Sequence, residues 1–207
     1  MRSFNYYKED TKLHGLKYLP RFYDPNDNDS DSLHFGGPYP PREVSPESYD
    51  LVQLELQNYK NCKSILEIGI FQNIKGFSYL LSMEKNPETI YVGLDREERR
   101  YLGQPVDNIF IIKSDSSERE FVKQELKRLG VDKLSILFID GFHSLNMVIN
   151  DLHYGELLEP GGLIFLHDTN FHPGPNLVFN AIDETVYKKE LYFDKPDDYG
   201  LAILRKI

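Results

Sequence analysis

Residues 64–70, with the sequence SILEIGI, form an apolar run that closes with a glycine turn. Continuous apolar runs of this length are typical of strands that are buried on both faces of a sheet. The segment that follows carries Phe77, Leu80 and Leu81, and it is predicted to be a helix. A buried strand that leads through glycine into a helix begins a βαβ unit, so this stretch predicts an α/β protein.

The same pattern recurs on the C-terminal side of this first unit. Four more apolar runs predict strands at 89–95, 108–115, 134–140 and 161–168. Helices are predicted from Ser45 and over 118–129, 144–158 and about 177–188, and a terminal hairpin is predicted from 191–193 and 200–204. The pattern therefore predicts a doubly wound, mostly parallel seven-stranded sheet with an antiparallel C-terminal strand.

An acidic side chain stands at or near the end of each predicted parallel strand. The five residues are Glu67, Asp95, Asp115, Asp140 and Asp168. The carboxyl ends of parallel strands meet at one edge of the sheet, and open α/β sheets bind their ligands at that edge. We therefore expect these carboxylates to line one site.

The loop after the first strand bears on the class of cofactor. Gly69 lets the backbone approach a ligand closely, and the N-terminus of the next helix favours negative charge. The dinucleotide fingerprint G-x-G-x-x-G is absent, because residues 70–75 separate Gly69 from Gly76, and this disfavours a nicotinamide-dependent oxidoreductase. Asp95 stands where a ribose-binding carboxylate belongs, although it would also serve as a helix N-cap before Arg96.

Composition sets the broad class of the protein. The chain has 207 residues, 40% hydrophobic and 28% charged, as is usual for a single globular domain. Its formal net charge of −9 argues against nucleic acid or an anionic membrane as a partner. Cys62 is the only cysteine, and no apolar run resembles a secretory leader or a membrane span. These features predict a soluble, cytoplasmic protein.

Residues 1–44 differ from the rest of the chain and are interpreted as an N-terminal arm before a domain at 45–207. The arm is rich in aromatic side chains that follow no regular period and are interspersed with turn-forming residues. So many rings need a surface to bury against. They could cover an active site as a lid, pack against a second subunit in a homo-oligomer, or pack against their own domain.

The order of segments, with short motifs at their ends, resembles a known family. These motifs are VSPE at 44–47, ILEIG at 65–69, VGLD at 92–95, SDS at 114–116, FIDGFH at 138–143, LEPGGLIFLHD at 158–168 and YGLAILRK at 199–206. Together they resemble the class I methyltransferases that use S-adenosylmethionine (SAM), which have a Rossmann-like fold. More narrowly, they resemble the small O-methyltransferases related to the catechol, caffeoyl-coenzyme A and macrocin-type enzymes.

The resemblance implies a set of cofactor-binding residues. Glu67 and Gly69 would lie beside the methionine part of SAM, Asp95 would hold the ribose hydroxyls, and Asp115 with Ser116 would approach the adenine. Asp140 would flank the methionine part and the reaction centre. Phe71 and Gly76 complete the set, in a first loop that is longer than the compact glycine turn of the family.

The resemblance also implies catalytic and metal-binding residues. Members that depend on a metal bind a divalent cation after the fourth and fifth strands, where this chain has Asp140, His167 and Asp168, and oxygen ligands would suit Mg²⁺. The ion would lower the pKa of an acceptor hydroxyl. His143 could be the general base or simply a residue at the start of a helix. Asp151 could orient His143 or be a solvated helix acid.

The function expected from these features is methyl transfer from SAM to an oxygen of a small molecule or sugar, with Asp140 and His143 at the reaction centre. The alternative is a non-catalytic protein of the same fold that binds a ligand or a partner. The altered first loop and the incomplete metal set favour the alternative, whereas the complete set of strand-end acids favours the enzyme.

Overall fold

The computed structural model describes residues 15–18, 46–59, 61–70, 88–98, 107–192 and 198–207. The helix predicted to contain Phe77, Leu80 and Leu81 lies outside these residues, as does most of the arm at 1–44. Within the described residues, no helix has the length and apolar composition needed to cross a bilayer.

The strands form one mixed sheet. They are β1 (Ser64–Ile68), β2 (Ile90–Asp95), β3 (Ile109–Lys113), β4 (Leu134–Ile139), β5 (Leu158–His167), β6 (Tyr187–Tyr192) and β7 (Leu201–Lys206). Their order across the sheet is β3-β2-β1-β4-β5-β7-β6. Strands β1 to β5 pair in parallel, and β7 pairs antiparallel to both β5 and β6. The predicted seven-stranded sheet with an antiparallel C-terminal strand is confirmed.

Four α-helices are described on the two faces of the sheet. They are α1 (Pro46–Asn58), α2 (Arg119–Arg128), α3 (Leu145–Leu152) and α4 (Pro173–Ala181). Apolar residues of α2, α3 and α4 share one core cluster with Leu66 and Leu137, while Val52 and Leu56 of α1 share the other with Ile65 and Phe165. Burying each such side chain contributes about 1.5–3 kcal/mol relative to exposure. Every residue of β1 and β4 is buried because helices cover both faces.

The chain after the fifth strand differs from the prediction. A helix was predicted over about 177–188, but α4 ends at Ala181 and strand β6 begins at Tyr187. Helix α4 begins earlier because Pro173 suits its first turn. Strand β6 forms because Tyr187 buries its ring and the segment pairs along β7. These are tertiary contacts that helical spacing does not reveal.

The segment before the fifth strand also differs from the prediction. The predicted helix over 144–158 is α3 followed by a 3₁₀ helix at His153–Leu157, and β5 starts at Leu158 instead of Gly161. The ammonium group of Lys206 on β7 donates hydrogen bonds to the carbonyl oxygens of Gly155, Glu156 and Leu158. These bonds tie the tightened end of the helix to strand β7.

Residues 15–18 are the described part of the arm. Leu16 is buried and forms an isolated antiparallel bridge with Ile182, and the Lys17 amide donates to the carbonyl oxygen of Ala181. This short segment therefore packs against the domain's own chain, beside the end of α4.

Candidate active site

The four predicted strand-end aspartates lie at the carboxyl edge of the sheet. Asp95 is the last residue of β2, Asp140 and Asp168 directly follow β4 and β5, and Asp115 stands two residues after β3. Glu67 lies within β1, one residue before its end. The parallel pairing of these strands brings their carboxyl ends to one edge, as predicted.

The turn after β1 packs tightly against the turn after β4. Gly69 has φ +86°, and a β-carbon at this position would lie 2.1 Å from the carbonyl oxygen of Asp140. The Asp140 amide donates to the carbonyl oxygen of Ile68 at 2.9 Å. Only glycine fits this left-handed conformation and this close approach. Gly69 thereby sets the position of Asp140 relative to the first loop.

Asp95 accepts backbone hydrogen bonds on both of its carboxylate oxygens. The Ile70 amide donates to Oδ2 at 3.1 Å, and the Glu97 amide donates to Oδ1 at 2.8 Å. These bonds fix the carboxylate between the loop after β1 and the turn after β2. A carboxylate has about four acceptor positions, so a group held in this way is the kind of acceptor that binds more than one donor.

Glu67 is buried beneath this edge of the sheet. It is 3% exposed, and the Tyr91 hydroxyl donates to its Oε2 at 2.8 Å. Gly93 on β2 leaves room for the side chain of Ile70, because a β-carbon there would lie 2.2 Å from Ile70 Cδ1. The predicted place of Glu67 beside the methionine part of SAM stays a prediction.

Asp115 and Ser116 form the turn between β3 and α2. Asp115 accepts a hydrogen bond from the Ser117 amide at 2.9 Å, while Ser116 is buried. The Asn150 amide group donates to the Ser116 hydroxyl at 3.2 Å, and the Tyr154 hydroxyl donates to the Ser116 carbonyl oxygen at 2.6 Å. Helix α3 and the 3₁₀ helix thus hold the loop that was predicted to approach adenine.

Asp151 is a buried acid and not the solvated helix residue that we considered. It is 1% exposed, and its Oδ1 accepts a hydrogen bond from the Asn150 side chain at 3.1 Å. Its Oδ2 has no hydrogen-bond partner and lies 3.3 Å from the position of a β-carbon on Gly141. Burial raises the pKa of Asp151 to about 7.

We expect the variant Asp151→Asn to unfold with a weaker pH dependence than the wild type. The folded pKa of Asp151 is above its unfolded value of about 3.9, so its contribution to stability is complete below that value and is lost as the pH rises through 7. Between pH 5 and pH 8 the wild type should lose about 2–3 kcal/mol of stability relative to the variant. Urea unfolding between pH 5 and 8 measures this, with exposed Asp132→Asn as the control. Parallel curves for Asp151→Asn and the wild type would contradict it.

Two histidines and two aspartates meet after β4 and β5. His143 Nε2 lies 2.5 Å from Asp168 Oδ2 and 3.6 Å from Asp140 Oδ1. His167 Nδ1 lies 3.1 Å from both Asp140 Oδ1 and Asp168 Oδ1. The side chains of Asp140 and His143 are 27% and 19% exposed, whereas those of Asp168 and His167 are 7% and 4% exposed. Asp140 and His143 therefore form the accessible side of the cluster.

The charges in this cluster stabilise one another. Burial acts to lower the pKa of His167, but Asp168 and Asp140 hold it well above its ordinary value. Burial acts to raise the pKa of Asp140 and of Asp168, but His167 and His143 hold both below the ordinary value. The two carboxylates thus favour the protonated form of His167. Asp168 also has φ +60°, a conformation that aspartate tolerates better than most residues.

His172 also lies at the site, in the loop that follows β5. Its ring stacks on that of His143 with a centroid distance of 4.3 Å and an interplanar angle of 7°. Gly174 makes this approach possible, because a β-carbon there would lie 2.1 Å from the His143 carbonyl oxygen. The sequence places His172 in the loop after the fifth strand, where acceptor specificity is expected, but it does not predict the stack.

The predicted site residues thus fall into two groups along the edge. Asp95, Gly69, Asp115 and Ser116 surround the ends of β1 to β3, while Asp140, His143, His167 and Asp168 meet after β4 and β5. Phe71 and Gly76 lie outside the described residues. Ser144 caps α3, its hydroxyl accepting from the Met147 amide, so His143 directly precedes the N-cap residue of this helix.

No protein-family model and no curated protein matches the chain. Several solved structures do match the chain. MycE methyltransferase from the mycinamycin biosynthetic pathway, in complex with Mg, S-adenosylhomocysteine (SAH) and mycinamycin VI, matches with a TM-score of 0.57 and 16% identity over 77% of this chain. The chain covers 49% of MycE, about half its length.

Two further structures match at similar levels. The O-methyltransferase TomG from Streptomyces achromogenes, involved in tomaymycin synthesis and solved with SAM, has a TM-score of 0.55 and 14% identity over 79% of this chain and 81% of its own. A ribosomal RNA methyltransferase from Plasmodium falciparum has a TM-score of 0.52 and 16% identity over 78% of this chain and 96% of its own. The chain has the Rossmann-like fold of the SAM-dependent methyltransferases.

Proposed function

We propose that this protein is a SAM-dependent methyltransferase that methylates an oxygen of a small molecule or sugar. The observation that carries the proposal is the His143–Asp168 pair, 2.5 Å apart, at the same sheet edge as the carboxylate of Asp95. One half of the edge thus offers acceptors for a nucleoside, and the other half offers a base with its own carboxylate. MycE and TomG, which share the fold, were solved with SAH and SAM.

The residues of β1 to β3 fit the nucleoside part of SAM. Asp95 is held by two backbone amides at the end of β2, and a carboxylate at this position is the acceptor that two vicinal hydroxyls of a ribose need. The turn at Asp115 and Ser116 is fixed by α3, so that it presents a rigid edge to a planar base. When bound, SAM supplies an electrophilic methyl group on a sulfonium centre. Asp140, held against Gly69, would lie between the nucleoside half and the base.

His143 is the proposed general base for the acceptor hydroxyl. Its Nε2 faces Asp168 Oδ2, so the carboxylate orients the imidazole and stabilises the imidazolium that forms when the ring takes a proton. The stack on His172 fixes the plane of the ring. General bases contribute about 10²–10⁴-fold to the rate when they are positioned in this way.

The predicted metal residues Asp140, His167 and Asp168 lie together, with ligand atoms within 4.8 Å of one another. Their donors fit Mg²⁺ only in part. Mg²⁺ prefers oxygen ligands in octahedral geometry, whereas the third donor is an imidazole whose Nδ1 already bridges both carboxylates. We therefore assign proton transfer to His143 and Asp168, and assistance by Mg²⁺ stays a prediction.

A binding protein without activity is the competing function. Such a protein would need the nucleoside half of the edge, but it would have no use for a base paired with a buried carboxylate. Burying Asp168 against two histidines carries a desolvation cost that a ligand-binding role alone does not explain. The paired base therefore favours the enzyme.

The variant Asp95→Ala tests the cofactor site. We expect it to bind SAH about 10–100-fold more weakly than the wild type, because hydrogen bonds to a charged group contribute about 1.5–3 kcal/mol each. Calorimetric titration with SAH measures the change. Asp132→Ala, which removes the same charge from an exposed position before β4, should bind like the wild type. Unchanged affinity in Asp95→Ala would remove Asp95 from the site, and a wild type that does not bind SAH would overturn the proposed cofactor.

A further inference from the structure

His172 gives the site a second accessible imidazole that the proposed reaction uses only for packing. Its ring stacks on that of His143, whose Nε2 faces Asp168 Oδ2. One ligand atom from each of the three side chains lies within 4.8 Å of the other two. The three residues come from the loop after β4, the end of β5 and the residue before α4. They converge only because Gly174 brings α4 against the His143 loop.

We propose that His143, Asp168 and His172 form a binding site for a first-row transition-metal ion of the Zn²⁺ class. Two imidazole nitrogens and one carboxylate oxygen are the donors that Zn²⁺, Co²⁺ and Fe²⁺ prefer, and they are a poor set for Mg²⁺. Adjacent ligand atoms around such an ion lie about 3–3.5 Å apart, given metal–ligand distances of about 2.0–2.2 Å. The ion replaces the ring stack, and His172 turns its nitrogen toward the ion.

The surroundings of Asp168 support this assignment. Its Oδ1 lies 3.1 Å from His167 Nδ1, while its Oδ2 faces His143. These two ion pairs restrain the carboxylate, and neighbouring groups commonly orient a ligating carboxylate. Asp140 Oδ1 lies 3.6 Å from His143 Nε2 and adds negative charge beside the ion. The carboxylate of Asp168 is therefore held in place, with a second carboxylate nearby, before any ion binds.

This site would regulate the proposed reaction, and that consequence rests on the proposed function. An ion held by His143 and Asp168 occupies both the base and the carboxylate that orients it. Zn²⁺ should therefore inhibit methyl transfer in competition with the acceptor. SAH should still bind, because Asp95 and Gly69 do not belong to this set of ligands.

Cobalt spectroscopy tests the site without SAM or an acceptor. We would titrate the chelator-treated full chain with Co²⁺ and follow the visible d–d bands, whose intensity rises when the coordination number falls from six. We expect saturation at one equivalent, displacement by Zn²⁺ and no displacement by excess Mg²⁺. His172→Phe keeps a ring for the stack but removes the donor nitrogen, so it should weaken Co²⁺ binding by at least ~10-fold.

The control is His153→Gln, which changes a buried histidine that contacts Lys123 and lies outside the cluster. It should bind Co²⁺ like the wild type. Absence of bands in the wild type, or full binding by His172→Phe, would overturn the proposal. Circular dichroism and thermal melting establish that each variant is folded. A wild type that binds Co²⁺ but not SAH would support the metal site and contradict the proposed methyltransferase function. Failure of the metal site can therefore be distinguished from failure of the proposed function.

Discussion

The variant His143→Gln is expected to lose about 10²–10⁴-fold in the rate of methyl transfer while it binds SAH like the wild type. Glutamine keeps a polar group near Asp168 but cannot take up a proton at neutral pH. The nucleoside half of the site lies at the ends of β1 to β3 and does not depend on this side chain. A loss confined to catalysis therefore separates a base from a binding residue.

The measurement is SAH release from SAM with a panel of hydroxylated small molecules and sugars, on any acceptor that the wild type converts. Calorimetric titration with SAH runs in parallel on both proteins. His153→Gln provides the same chemical change outside the cluster and should keep the wild-type rate. If His143→Gln is as active as the wild type, the base lies elsewhere. If SAH affinity falls in step with activity, His143 contributes to cofactor binding.

The variant Gly69→Ala is expected to lower the free energy of unfolding by about 2–5 kcal/mol. Two terms contribute. An L-residue at φ +86° costs about 1–2 kcal/mol, and the β-carbon would collide with the Asp140 carbonyl oxygen at 2.1 Å, which adds about 1–3 kcal/mol of overpacking. Relief of the collision would separate the turn after β1 from the turn after β4, so SAH affinity should fall as well.

Gly161→Ala is a matched control for this variant. Gly161 has φ +79°, but a β-carbon there would meet nothing within 4 Å. Gly161→Ala should therefore lose only the about 1–2 kcal/mol of unfolding free energy that an L-residue at positive φ costs, and its affinity for SAH should be unchanged. Urea unfolding of the three proteins gives both values. Equal losses for the two variants would contradict the close packing of the turns after β1 and β4.

Much of the sheet was predictable because its signals are local. The apolar runs at 64–70 and 134–140 are long enough for buried strands and are bounded by glycine and polar residues, so their structure can be assigned without knowing their neighbours. The position of each strand-end acid follows from the same assignment, because parallel strands share one carboxyl edge. The positions of Asp95, Asp115, Asp140 and Asp168 at this edge of the sheet were therefore predictable from the sequence alone.

The chain after Asp168 was less predictable. Tyr187 and its neighbours are compatible with a helix, and they form β6 because β7 offers a pairing edge and the core accepts the Tyr187 ring. The 3₁₀ helix after α3 is likewise held by Lys206, which is 51 residues from Gly155 in the sequence. Propensity is a weak guide wherever a distant partner supplies the decisive contact.

The sequence by itself determined the architecture of this protein, the edge at which its site lies and the acids along that edge, because hydrophobic period and strand ends are local properties. Only the tertiary structure decided which side chains meet. His172 stacks on His143 because Gly174 lets α4 approach, and Asp151 is buried because α3 turns it toward Gly141. Both contacts join segments whose separation is fixed by helix packing, a long-range property that no local pattern encodes.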